Sequence, residues 1–150
     1  MRIVMPQQII QAVTLVFLAA ASFQDMRSRT ISLRLAGVWI IIGCAVTAML
    51  LIRGELGLFS ALLSVLPGVF LLGMSLISGG RIGIGDGVMF VAMGLCVGAE
   101  KAFFLLGLST FGAAAFGAAG LALAKLKKGA RLPFLPFVLS AYVTSLLLPL

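Results

Sequence analysis

Four carboxylates occur in the chain, and two of them, Asp25 and Asp86, stand beside long apolar runs. Asp25 lies in Ala21-Ser22-Phe23-Gln24-Asp25-Met26-Arg27, where the first apolar run ends. Asp86 lies in Gly83-Ile84-Gly85-Asp86, where a later one begins. An ionisable group at the edge of hydrocarbon is expensive and marks a functional site by default. Two carboxylates held close together cannot both ionise cheaply and share a proton, the minimum equipment for acid/base hydrolysis. Asp86 opens a helix, whose dipole favours an anion, and Asp25 closes one, whose dipole disfavours it. On that ground alone Asp86 is expected to act as the base and Asp25 as the acid, although Arg27 and Arg29 beside Asp25 oppose this.

The elements that must carry these acids follow from composition. The chain has 150 residues, 62% of them hydrophobic and 10% charged, and its mean hydropathy is +1.25. A soluble domain of this size cannot hide so much apolar surface. The expected fold is all-α: a polytopic integral membrane protein, a single domain over 1–150 built as a bundle of about six transmembrane helices. The apolar stretches are Met5–Phe23, Leu33–Ile52, Leu56–Ser78, Gly87–Gly98, Ala102–Ala124 and Leu132–Leu150. Most are about 20 residues long, enough to cross ~30 Å of hydrocarbon. The fourth is short and needs tilt, thinning or the preceding loop. None shows the strand alternation of a membrane barrel. Met1–Ser22 also has the outline of a cleavable signal, with Ala19-Ala20-Ala21 as small residues, but its single charge and long apolar run favour a retained helix.

The net charge of +7 does not call for nucleic acid, because the basic residues lie between spans, where they orient the chain. With the N-terminus outside, the loops 24–34, 79–86 and 125–131 face the cytoplasm. They hold Arg27, Arg29, Arg34, Arg81, Lys125, Lys127, Lys128 and Arg131, eight basic residues against three (Arg2, Arg53, Lys101) on the other side. This topology brings Asp25 and Asp86 to one face and sends Glu55 and Glu100 to the other. Histidine is missing, and Cys44 and Cys96 lie inside spans without a CxxC. Neither a metal site nor a disulfide is therefore expected, and no cofactor. The small-residue pairs Gly94/Gly98, Ala113/Gly117 and Gly120/Ala124 are read as helix contacts.

Gly83 and Gly85 remove side chains ahead of the second acid, so an extended peptide can approach this loop through main-chain hydrogen bonds. The loop is not a phosphate loop, since GK[ST] is missing. Pro133 is placed to open the sixth helix, with Pro136 in or near its first turn.

Three segments now resemble a family. Asp25-Met26-Arg27-Ser28-Arg29-Thr30-Ile31 resembles the Asp-x-Arg-x-Arg-x-Ile signature of type IV prepilin peptidases. Gly80–Asp86 resembles their GxGD motif, placed before helix 4. Arg131-Leu132-Pro133-Phe134-Leu135-Pro136-Phe137 resembles their late Ile-Pro-Phe-x-Pro-Phe segment. The short length resembles the compact branch associated with tight-adherence, Flp-type pili. The resemblance implies an intramembrane aspartic endopeptidase of the prokaryotic cytoplasmic membrane. Such an enzyme cuts prepilin or pseudopilin leaders on the cytoplasmic side, with Asp25 and Asp86 as the catalytic pair. The chain departs from the pattern at Ser32-Leu33, where Pro-Asn is common, and at Val88, where Lys is common. Methylation of the new N-terminus is not expected. Two other classes fit the same acids: a catalytically inactive membrane scaffold of a pilus or secretion system, and a small cation-coupled transporter. A transporter should hold its acids near mid-membrane, whereas these lie at span ends.

Overall fold

The computed structural model describes residues 7–28, 33–79, 83–123 and 132–148. The motif positions 29–32 and 80–82, and the basic segment 125–131, lie outside the described residues, as do Arg2 and Ala124. Within the described residues the chain forms six helices and no strand: α1 (Gln7–Ser28), α2 (Leu33–Ile52), α3 (Leu58–Ile77), α4 (Ile84–Val97), α5 (Ala99–Ala122) and α6 (Leu135–Leu147). Helix is the form in which an apolar segment satisfies its own backbone in lipid. Four of them, α1, α2, α3 and α5, are long and apolar enough to cross a membrane. The outward side chains match: Val16, Ile41, Phe59, Phe111 and Leu147 are all exposed, as expected where hydrocarbon replaces water. The chain is a multi-pass membrane protein. As expected for the fourth run, α4 is short; its 14 residues rise only about 21 Å.

The helix register is read from close contacts. On α3 and α4, Gly68 faces Val91, Leu72 faces Gly87 and the Ser64 carbonyl faces Gly94, so these helices run antiparallel. Gly43 of α2 faces Ala92 and Leu95, and the Thr47 hydroxyl donates to the Leu95 carbonyl at 2.9 Å; α2 and α4 run parallel. Helix α6 lies antiparallel to α1, with Leu135 beside Asp25 and the Tyr142 hydroxyl donating to the Gln11 carbonyl at 3.1 Å. Along α5, Gly112 and Gly117 face Phe137 and Leu132. The C-terminal ends of α1, α3 and α5 therefore gather with the N-terminal ends of α2, α4 and α6. Helix α4 sits at the centre, touching α1, α2, α3 and α5.

One expectation changes. Gly94 and Gly98 do not act as a GxxxG face. Gly98 adopts φ +84° and is the single residue between α4 and α5, a left-handed turn that a Cβ would strain. Gly94 alone makes the contact, and a methyl there would run into the Ser64 carbonyl oxygen. Gly94→Ala is accordingly expected to cost about 1–3 kcal/mol of stability by overpacking, seen as a lower Tm in detergent. Gly107→Ala on α5 has nothing within 4 Å of the new methyl and should hold or raise Tm, since alanine is the better helix former.

Candidate active site

Helix α1 runs past Phe23 to Ser28 and carries Asp25 within its last two turns, rather than leaving it in a loop. Thr14, Leu18, Ala21 and Asp25 follow one another at helical spacing and are all buried, the stripe by which α1 meets the bundle. Asp25 is only 6% exposed. Its burial is possible because it finds a donor: Oδ2 accepts the Leu135 backbone N–H at 3.1 Å. The first turn of α6 explains why that donor is at hand. Pro133 and Pro136 have no N–H, and the N–H groups of Phe137 and Val138 return to the Phe134 carbonyl at 3.0 and 3.3 Å. Helix α6 begins at Leu135, with Pro136 in its first turn, two residues later than Pro133 suggested. The N–H of Leu135 is one of the groups that a helix start leaves unpaired, and Asp25 takes it.

Asp86 is the third residue of α4, outside the four long spans, and precedes the apolar run 87–98. The expected loop thus ends earlier than the sequence suggests: Gly83 is the cap, exposed and extended at φ −66° and ψ 129°, while Gly85 is half-buried inside the first turn. The Asp86 N–H donates to the Gly83 carbonyl at 3.1 Å. A Cβ on Gly83 would stand 3.1 Å from Asp86 Oδ2, so this glycine leaves room for the acid's own carboxyl. Gly87 lets α4 begin tight against Leu72 of α3.

The mounts of the two acids are joined. Phe90, one turn beyond Asp86 and on the same side of α4, packs against Phe134, whose ring centroid is 6.0 Å away. Phe134 immediately precedes the residue that binds Asp25. The charges communicate as well. Burial pushes the Asp86 carboxyl up to about 7, the Asp25 charge pushes in the same direction, and a backbone hydrogen bond at Gly83 opposes both. The two carboxyls therefore lie within electrostatic reach at one end of the bundle. Arg27 and Arg34 are exposed. Among the described residues no cluster of three or more His, Cys, Asp or Glu could hold a metal ion.

Such a pair can hold one proton between its members and move it during an acid- and base-assisted attack of water. The helix-dipole argument behind the expected roles changes, however. Asp25 does close α1, but its carboxylate rests on the N-terminus of α6, where a helix dipole favours an anion. Asp86, expected to be the anion, is the member held near neutrality. Phe134 and the Leu135 N–H lie in the segment 131–137 but were not expected to hold an acid; their signal is the spacing of Pro133 and Pro136, which removes two donors and leaves those between them.

Residues 12–149 match the family model described as the type IV leader peptidase family. No curated protein and no solved structure matches the chain.

Proposed function

The chain belongs to the type IV leader peptidase family, and from that premise we propose that it is an intramembrane aspartic endopeptidase whose catalytic pair is Asp25 and Asp86. Its substrates are type IV, Flp-like prepilins or pseudopilins. It works as a single domain over 1–150 in the prokaryotic cytoplasmic membrane, with the acids toward the cytoplasm, the face favoured by the basic loops. The observation that carries this reading is the coupling of the two acids across α1 and α4, with Asp25 held by Leu135 and Asp86 raised by burial and by Asp25.

In the proposed reaction Asp25 takes a proton from water while the water oxygen bonds to the scissile carbonyl carbon. Asp86 gives its proton to the substrate. The carbon–nitrogen bond then breaks as Asp25 passes the proton it took from water to the leaving nitrogen and a hydroxyl of the tetrahedral adduct returns a proton to Asp86; the products are a carboxylic acid on the leader, which ionises in water, and a new amino terminus. Gly83, exposed and extended at the mouth of the pair, and Gly85 form the loop along which the substrate backbone lies. Binding a chain there as an added strand supplies partners for peptide groups that must unwind before cleavage.

The test is leader removal from a prepilin by the purified protein in lipid nanodiscs, scored by mass across pH. Asp86 must carry the proton it donates. Its pKa is raised, so the proton is present below about 7 and lost as pH rises through that value. Turnover is expected to fall roughly tenfold per pH unit on the alkaline side. Turnover that is flat from the acidic to the mildly alkaline range would remove Asp86 as the acid. A protein that processes no prepilin under any condition would be an inactive scaffold.

A further inference from the structure

Serines inside helices usually return their hydroxyl to a carbonyl in the preceding turn, and this protein follows the habit. Ser28, Ser64, Ser109 and Ser145 bond to the carbonyls of Gln24, Ala61, Leu106 and Tyr142 at 2.7 to 3.2 Å. Ser22 does not. It is 3% exposed, and its hydroxyl has no partner among the described residues. A buried polar group left unpaired is costly and calls for an explanation. Its place suggests one. Ser22 is three residues before Asp25 on α1, and residues three apart are surface neighbours, with Cβ atoms about 5–6 Å apart. Helical side chains lean toward the N-terminus, so the Asp25 carboxyl leans over the turn that carries Ser22. Oδ2 of Asp25 is engaged by Leu135, and a carboxylate has a second oxygen with which to accept a further donor.

We propose that the Ser22 hydroxyl holds the attacking water against Asp25, on the membrane-interior side of the acid pair. The inference rests on the peptidase reading and adds to it the site of the nucleophile. A hydroxyl both donates and accepts, so it can orient a water whose proton is aimed at a carboxylate. A buried water needs two to four polar partners, and Ser22 Oγ, Asp25 and Asp86 supply three. Trp39 also has a buried indole N–H without a partner among the described residues. Its ring stacks on Phe17 at 4.0 Å, and Phe17 lies about 140° around α1 from Ser22; it belongs to the opposite edge of the face.

The experiment compares wild type, Ser22→Ala, Ser22→Cys and Ser22→Thr in nanodiscs, measuring kcat, KM and Tm on one prepilin. Ser22→Ala is expected to lower kcat about tenfold or more, with KM within about twofold and Tm held or raised, since an unpaired buried hydroxyl has gone. Ser22→Thr, which keeps the hydroxyl, should recover most of the loss. Unchanged kcat in Ser22→Ala overturns the proposal and leaves Ser22 as packing. A raised KM with unchanged kcat overturns it in favour of a contact to substrate. If Ser22→Ala fails to fold, Ser22→Cys decides: its weak donor should still lower kcat, and wild-type turnover there overturns the idea. A wild-type protein that does not cleave would instead show that the peptidase reading has failed.

Discussion

Asp86→Asn and Asp25→Asn are each expected to stop leader removal, lowering kcat by at least about 10³-fold while leaving insertion and Tm near wild type. Asparagine keeps the shape of the side chain but neither gives nor takes the catalytic proton. At position 25 its amide oxygen can still accept the Leu135 N–H that Asp25 accepts at 3.1 Å, so the α1–α6 contact survives. At position 86 it keeps a polar group of the same size against Gly83, where a Cβ would stand 3.1 Å from Asp86 Oδ2. Replacing Asp86 also removes a carboxyl whose charged form burial and Asp25 both oppose, so Asp86→Asn should not destabilise the fold. Because the acids act as a unit, the double variant is expected to be no slower than the worse single one. Mass analysis of a co-expressed prepilin, with Tm of each purified variant, checks all of this. Wild-type processing by either single variant would end the dyad assignment.

The sequence made the scaffold legible because apolar length and basic-residue placement are strong, one-dimensional signals. Helix α2 occupies the residues 33–52 that its apolar run marks. The ends of elements were less legible where another element decides them. The polar residues Gln24 to Ser28 look like a loop, yet they continue α1 because Asp25 meets a donor on α6, some 110 positions later in the chain. No pattern near Asp25 announces that partner, whose one sign is the spacing of Pro133 and Pro136. The same contact changes the dipole argument: Asp25 is at the end of its own helix and at the start of another. Gly98 was misjudged for a related reason, since spacing alone does not distinguish a glycine that packs from one that turns the chain at φ +84°. Ser22 was passed over because only burial without a partner among the described residues sets it apart from the serines that bond within their helices.

Removing the Leu135 N–H is expected to slow cleavage about 10- to 100-fold with little change in KM. A hydrogen bond to a charged group contributes about 1.5–3 kcal/mol, and here it is made to the acid that takes the proton from water in the proposed reaction. Leu135→Pro removes the donor, and proline is tolerated in a first helical turn, but the Leu135 side chain is fully buried, so lost packing would blur the result. Placing leucic acid at 135 keeps the side chain and exchanges only the amide for an ester. The control is the corresponding ester at Val143, an exposed residue in the body of α6, which weakens the helix without touching Asp25. Both esters should lower Tm modestly, and only the one at 135 should lower kcat. Equal kcat in the two would mean that α6 merely covers Asp25. A selective loss would mean that the start of α6 aims it, and that the two prolines matter because they leave the intervening N–H to the acid.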